Sequence, residues 1–173
     1  GARISFYRND GTPQTPDLQW ETDQYAGIVE YETYQRVLPV FYDIDADGDF
    51  DMFTGRGNGQ IGFYRNDGTP QSPAWTFVTD SYAGIDVGFA SALTFCDIDN
   101  DGDADLFVDK QYGFSTYIAF YRNDGSAETP VWTHITDFYK PGKTPVLHDV
   151  DNDGDMDFFT YDEGINFYRN DGT

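Results

Sequence analysis

Cysteine is almost missing from this chain. Cys96 is the only one among 173 residues, so no disulfide forms within the molecule, and the residue reads as a small buried hydrophobe. Basic residues are scarce, ten against 31 Asp and Glu, and the formal net charge is −21. Such a balance argues against nucleic acid, which needs a basic footprint, and against direct insertion into or binding to an anionic membrane. Histidine is limited to His134 and His148, each with no Ser, Cys or Asp pattern around it, so no nucleophilic triad is expected. No apolar stretch is long enough for a membrane-spanning helix, and no segment reads as a signal peptide. No segment carries a 3.6-residue apolar period, which predicts almost no helix.

Aspartate is abundant, and it is clustered. Three runs place five aspartates on alternate positions around a glycine: Asp43, Asp45, Asp47, Asp49 and Asp51; Asp97, Asp99, Asp101, Asp103 and Asp105; Asp149, Asp151, Asp153, Asp155 and Asp157. At an effective dielectric of ~20, two unit charges ~5 Å apart repel by roughly 3 kcal/mol. A fold keeps such a cluster when a cation sits inside it. The donors are all hard oxygens on a short loop, which selects calcium over zinc, copper or magnesium, and one ion per loop gives three. Within each run the carboxylates at positions one, three and five converge on the ion, as Asp43, Asp45 and Asp47 do in the first. Gly48 at position six makes the turn, position seven (Asp49) offers its carbonyl, and position nine (Asp51) closes the shell. The helix–loop–helix calcium hand needs a bidentate Glu at position twelve. Thr54, Val108 and Thr160 stand there instead. The flanks are β-branched and aromatic, as in Val37-Leu38 and Val40-Phe41-Tyr42 before the first loop and Leu106-Phe107-Val108 after the second, so each loop is expected to join two strands.

A second motif recurs four times. Phe6-Tyr7-Arg8-Asn9-Asp10-Gly11 returns at Phe63, Phe120 and Phe167, spaced by 57, 57 and 47 residues. Asn-Asp-Gly is turn chemistry at a strand end. Behind the first three copies come Pro16, Pro73 and Pro130 and an alternating segment in which Leu18, Trp75 and Trp132 align. Each unit therefore reads as four strands: A enters the aspartate loop, B leaves it, C carries Phe-Tyr-Arg, and D carries the Trp. Four strands per period of about 50 residues point to propeller blades. The fold class expected is all-β, with blades of four antiparallel strands, about three blades, and a calcium loop between strands A and B of each.

The pattern Asp-Ile-Asp-x-Asp-Gly-Asp-x-Asp followed by Phe-Tyr-Arg-Asn-Asp-Gly-Thr resembles the FG-GAP/VCBS repeat family, the calcium-binding blades of integrin-α-like propellers and of many bacterial surface proteins. The resemblance runs over essentially the whole chain, with Phe53-Thr54-Gly55 the nearest echo of the Phe-Gly signature. It implies binding or adhesion outside the cell. Millimolar calcium outside cells points the same way, to an extracellular or cell-surface setting.

The units divide as 1–36 (strands C and D of an incomplete blade), 37–90, 91–142 and 143–173 (an incomplete blade). A closed ring needs about four blades or more, so further blades of a longer chain or other copies of the same chain are the expected partners. Nearly every clustered carboxylate is committed to a cation, which leaves no pair for acid–base work. No enzyme is expected, although some calcium propellers act as polysaccharide lyases. A ligand, with an extracellular glycan or protein the candidate, is expected where the repeat is interrupted, at Tyr31, Tyr34 and Tyr112. Trp20, Tyr25 and Tyr82 are further candidates to stack on sugar rings. The alternative is a purely structural repeat of a surface fibre or large adhesin. The four motif arginines are expected to meet aspartates of a nearby blade, and most aromatics are expected in the core.

Overall fold

Short β-branched and aromatic runs punctuated by Asp-Gly and Asn-Asp-Gly turns favour strands over helices. The computed structural model describes residues 2–30, 37–89, 92–113, 115–139, 142–161 and 163–172. Among them are fifteen strands: β1 (Ala2–Arg3), β2 (Phe6–Asn9), β3 (Leu18–Thr22), β4 (Val29–Glu30), β5 (Val37–Tyr42), β6 (Asp51–Arg56), β7 (Ile61–Asn66), β8 (Trp75–Thr79), β9 (Leu93–Cys96), β10 (Asp105–Tyr112), β11 (Ser115–Asn123), β12 (Trp132–Tyr139), β13 (Lys143–His148), β14 (Asp157–Tyr161) and β15 (Ile165–Tyr168). The helical content described is two single 3-10 turns, Tyr25–Gly27 and Tyr82–Gly84.

The strands assemble in chain order into antiparallel sheets. β5-β6-β7-β8 and β9-β10-β11-β12 are four-stranded, β13-β14-β15 is three-stranded, β2-β3 is a hairpin, and β1 pairs with β4. Each four-stranded sheet is an up-and-down meander, the arrangement that short turns between antiparallel neighbours allow. The C–D hairpin carries the same irregularity in three copies. Register shifts between Phe6 and Tyr7, between Phe63 and Tyr64, and between Phe120 and Tyr121 leave one extra residue on strand D. A bulge there strengthens the local twist. The alternating pattern of the segment gave no sign of it.

Successive sheets pack against one another, with the first strand of one beside the first strand of the next: β5 meets β9, and β9 meets β13. Strand B lies deepest. All six residues of β6 are buried, and in β10 so are Asp105 through Asp109. These strands read as non-alternating because both of their faces are covered. The main core joins the two four-stranded sheets through Phe53, Ile61, Val87, Leu93, Leu106 and Val108, with Tyr82 and Trp132 packed against it. A second cluster, Ile4, Ile28 and Met52, ties the N-terminal hairpin to β6.

Aromatic burial is less complete than the composition suggests. Phe6, Tyr7, Trp20, Phe77, Phe167 and Tyr168 are all exposed, because strands C and D form the outer part of each sheet. The arginines also differ from expectation. Arg8, Arg65 and Arg122 each place Nε 2.6 Å from the aspartate two residues on, Asp10, Asp67 and Asp124. An i, i+2 pair on an outward-facing strand end is closer than anything a neighbouring sheet presents, so the partner is local.

Phe53 is fully buried, with its ring centroid 4.8 Å from Phe63, 5.0 Å from Tyr82 and 4.7 Å from Phe95. Phe53→Ala is expected to cost about 3–5 kcal/mol in urea denaturation. Phe77→Ala, on the exposed edge strand, should cost less than about 1 kcal/mol.

Candidate metal centre

Each aspartate run forms a tight loop between strands A and B, and the three loops are nearly superimposable in their contacts. In the first, Asp43 accepts the backbone N–H groups of Asp47 (3.2 Å) and Gly48 (3.1 Å), and Asp47 accepts that of Asp49 (3.0 Å). The second repeats this with Asp97, Asp101, Gly102 and Asp103, and the third with Asp149, Asp153, Gly154 and Asp155. Two backbone positions turn left-handed in every copy. Position six is glycine, with φ of 95°, 96° and 97° at Gly48, Gly102 and Gly154. Position four also has positive φ, 55° at Ala46, 60° at Asn100 and 61° at Asn152. Asparagine tolerates that region; alanine is strained in it.

The wrapping brings the carboxylates at positions one, three and five together. One oxygen each from Asp43, Asp45 and Asp47 lies within 4.8 Å of the others, and the same holds for Asp97, Asp99 and Asp101 and for Asp149, Asp151 and Asp153. Positions seven and nine turn inward. Asp49, Asp51, Asp103, Asp105 and Asp157 are buried, whereas Asp155 is only half-buried. Oδ1 of Asp49 and Oδ1 of Asp103 are enclosed with no hydrogen-bond partner. A buried anionic oxygen without a donor is costly unless a positive charge stands nearby. Burial, aided by the loop neighbours Asp47 and Asp101, pushes the carboxyls of Asp49 and Asp103 above the usual range. Burial likewise pushes Asp51 and Asp105 up to about 6. The donor set fits a hard cation: oxygens only, convergent, on a loop whose remaining carboxylates resist ionising side by side.

Position nine has a second task. Oδ1 of Asp51 accepts the N–H of Asn66 at 2.8 Å, Asp105 that of Asn123 at 2.8 Å, and Asp157 that of Asn170 at 3.0 Å. The same asparagines organise the turn after strand C. Oδ1 of Asn66 accepts the N–H groups of Gly68 (3.1 Å) and Ala74 (2.9 Å), and Oδ1 of Asn123 those of Gly125 (3.0 Å) and Val131 (2.8 Å). A side chain on Gly68 would run into the backbone carbonyl of Ser72, where the returning chain passes close. The loop and the Asn-Asp-Gly turn are thus one connected unit. The repetition of Asn9, Asn66, Asn123 and Asn170 was the sequence signal for it, and turn chemistry alone did not disclose the partner.

The third loop differs in a second respect besides the half-buried Asp155. Arg169 places a guanidinium nitrogen 2.6 Å from Oδ2 of Asp151 while its Nε holds Asp171 at 2.7 Å.

Tyr31 and Tyr34 lie outside the described residues. Tyr112 ends β10, its backbone opposite Ser115. Tyr82 is packed between Phe53, Phe63 and Trp132, and burial pushes its phenol up to about 12. Tyr25 lies against Phe6 and Trp75. Neither ring is free to stack on a ligand; Trp20 is, at 60% exposed. His134 is not alone, since its Nε2 is 2.9 Å from Asp137, which also holds Lys110 at 2.6 Å. Arg56 and Asp80 stand at the matching places one repeat earlier, 4.0 Å apart. The Lys110–Asp137 pair therefore recurs as a structural tie. Cys96 is buried and its thiol is pushed up to about 12, chiefly by burial, as expected of an inert core position.

Residues 43–108, from the first aspartate loop to the middle of β10, match the family model of the FG-GAP-like repeat. This segment is an FG-GAP-like repeat. Comparisons with curated proteins and with solved structures give no match. The FG-GAP-like segment covers one full period, including β6 to β9, and the same loop and turn contacts continue beyond it through Asp149–Asp157 and Asn170.

Two substitutions test this local architecture. Ala46→Gly removes the left-handed strain and should raise stability by about 0.5–1 kcal/mol. Asn66→Ala leaves the N–H groups of Gly68 and Ala74 unpaired and should cost about 1–3 kcal/mol. Thermal melts of the two variants against the parent measure both.

Proposed function

We propose that this chain is a calcium-binding β-propeller-type repeat module that works outside the cell in adhesion or ligand binding, with the metal mainly structural. The observation that carries the reading is the threefold convergence of carboxylate oxygens within 4.8 Å at Asp43/Asp45/Asp47, Asp97/Asp99/Asp101 and Asp149/Asp151/Asp153. In each loop those three side chains would hold the ion, with the position-seven residue (Asp49, Asp103 or Asp155) and the position-nine residue (Asp51, Asp105 or Asp157) completing the set. Calcium supplies two positive charges there and so relieves the repulsion among the loop carboxylates. The chain's own groups do the rest. Asp51, Asp105 and Asp157 carry the loop's position to strand C through the asparagine N–H groups, so a closed loop holds the A–B and C–D halves of a sheet in register.

The propeller reading draws on the four-strand order A-B-C-D in two successive sheets and on the packing of β5 against β9 and β9 against β13. An extracellular setting draws on the FG-GAP-like segment and on the calcium supply outside cells. No helix among the described residues is long and apolar enough to cross a membrane. For the ligand, an extracellular glycan is the best match to an acidic, aromatic-rich surface, with the irregular connections bearing Tyr31, Tyr34 and Tyr112 as its place and Trp20 as an exposed ring beside them in type. A second reading, a purely structural repeat of a surface fibre, is favoured by the near identity of the loops and turns from copy to copy. No catalytic role is proposed.

Calcium titration by calorimetry should find three sites, with Asp45→Asn and Asp99→Asn each removing one. Saturating calcium at about 100 times its Kd should add ~2.7 kcal/mol per site, so excess chelator should lower the melting temperature markedly. Cys96 should react with a thiol reagent slowly in calcium and faster in chelator. An unchanged melt in chelator would overturn the metal reading. A glycan array probed with and without calcium separates the ligand-binding from the scaffold reading.

A further inference from the structure

The arginine of the Phe-Tyr-Arg motif stands beside an aspartate loop in three of its copies. Arg65, Arg122 and Arg169 each come one residue before the asparagine whose N–H the position-nine carboxylate accepts, at 2.8, 2.8 and 3.0 Å. That bond ties strand C to the loop and so sets each guanidinium next to it. Nε is held alike in all three, by Asp67 and Asp124 at 2.6 Å and by Asp171 at 2.7 Å. The terminal nitrogens remain for other anions. Arg65 lies within electrostatic reach of Asp45 and Asp51, and Arg122 of Asp99 and Asp105. Arg169 completes the approach, with a terminal nitrogen 2.6 Å from Oδ2 of Asp151. Asp45, Asp99 and Asp151 are the position-three aspartates, the same place in each loop.

The loops meet their charge in two ways. In the first and second, Oδ1 of Asp49 and Oδ1 of Asp103 are enclosed with no hydrogen-bond partner, so the demand for a cation is unmet there. In the third, the corresponding Asp155 is half-buried, and Arg169 already brings a positive charge to the cluster. A charge-assisted contact of this kind is directional, and the oxygen that accepts Arg169 is not free to face an ion. A guanidinium beside a bound divalent cation is also repelled by it. Arginine and metal therefore compete for one carboxylate. The Arg169 side chain is 56% exposed, so it can swing away from Asp151 without unpacking a neighbour.

We propose that the motif arginine is a tethered counter-cation that sets the calcium affinity of its loop. It compensates the position-three carboxylate of the empty loop and withdraws to the aspartate two residues on when the ion enters. Arg169 acts by direct contact, Arg65 and Arg122 through space, so the three sites are graded and the third is the weakest. This role rests on the calcium reading of the loops and adds to it the residue that tunes them. Removal of the arginine then has two effects of opposite sign. The empty loop loses a compensating charge and becomes less stable, while the filled loop loses a repelling charge and binds calcium more tightly. An arginine with a purely structural role would give a loss on both counts.

The test titrates chelator-buffered calcium into the full 173-residue chain and follows the amide resonances of Gly48, Gly102 and Gly154, one reporter per loop, by NMR. The Gly154 midpoint is expected about fivefold above the other two, the effect of one exposed ion pair. Arg169→Gln should bring that midpoint down by about fivefold and lower the melting temperature in chelator. Arg169→Lys keeps the charge and should leave the midpoint within about twofold of the parent. Arg65→Gln and Arg122→Gln should lower the Gly48 and Gly102 midpoints by about twofold, and all these differences should shrink in about 1 M salt. A Gly154 midpoint that Arg169→Gln leaves unchanged or raises overturns the proposal, and so does a Gln variant that behaves as the Lys variant does. Resonances that move with calcium alike in parent and variants overturn this role alone. Resonances that calcium does not move, in a chain that circular dichroism shows to be folded, overturn it together with the metal reading.

Discussion

A carboxylate buried at the first residue of strand B links every level of this molecule. Asp51, Asp105 and Asp157 are each almost wholly enclosed and each accepts the N–H of the asparagine that ends strand C. An enclosed anion must be met by donors or by a cation. On one side the strand-C amide meets it. On the other, Asp105 and Asp157 accept the loop N–H groups of Ile98 and Val150, both at 3.2 Å, and beyond these stand the other loop carboxylates, which makes the loop a place of excess negative charge. The strand order, the turn after strand C and the crowding of loop carboxylates all meet at this one side chain.

The rest of the fold is arranged around that link. The loop fixes where strands A and B turn, and the asparagine fixes where strand C ends and where the chain returns as strand D. With those points set, the tryptophan two strands away falls into the space between sheets. This explains why the loops, the turns and the aromatic interfaces repeat together although the connections between them vary in length. It also explains why burial is concentrated in strand B, which is covered on both faces, while strands C and D expose rings. Such a molecule is built of like units, each contacting its neighbours.

Much of this was legible in the chain. The all-β class, the near absence of helix and the four-strand unit followed from turn residues and β-rich runs, because these are local preferences. The FG-GAP-like character of the segment from Asp43 to Val108 was legible for the same reason: a run of alternating aspartates around a glycine has few physical explanations. The arginine partners were misplaced. Arg8, Arg65 and Arg122 reach the aspartate two residues on, and only the outward direction of the strand end makes that the nearest anion. The aromatics were misjudged as a class, since Tyr82 and Tyr25 are packed while Trp20 and Phe77 are exposed. Which face of a strand is covered depends on a neighbouring sheet. His134 was read as solitary because Asp137 follows it along a strand whose bulge at Ile135 shifts the spacing.

The sequence by itself determined the strands, the loops, the left-handed position at each loop glycine and the clustering of charge, all of which arise within about ten residues of chain. Tertiary structure alone decided the tie between Asp51 and Asn66, fifteen residues apart, and the choice of which rings are buried. Those depend on how one sheet lies on the next. Packing of that kind joins residues a whole repeat apart, and no local pattern of side chains encodes which of two similar rings will be enclosed.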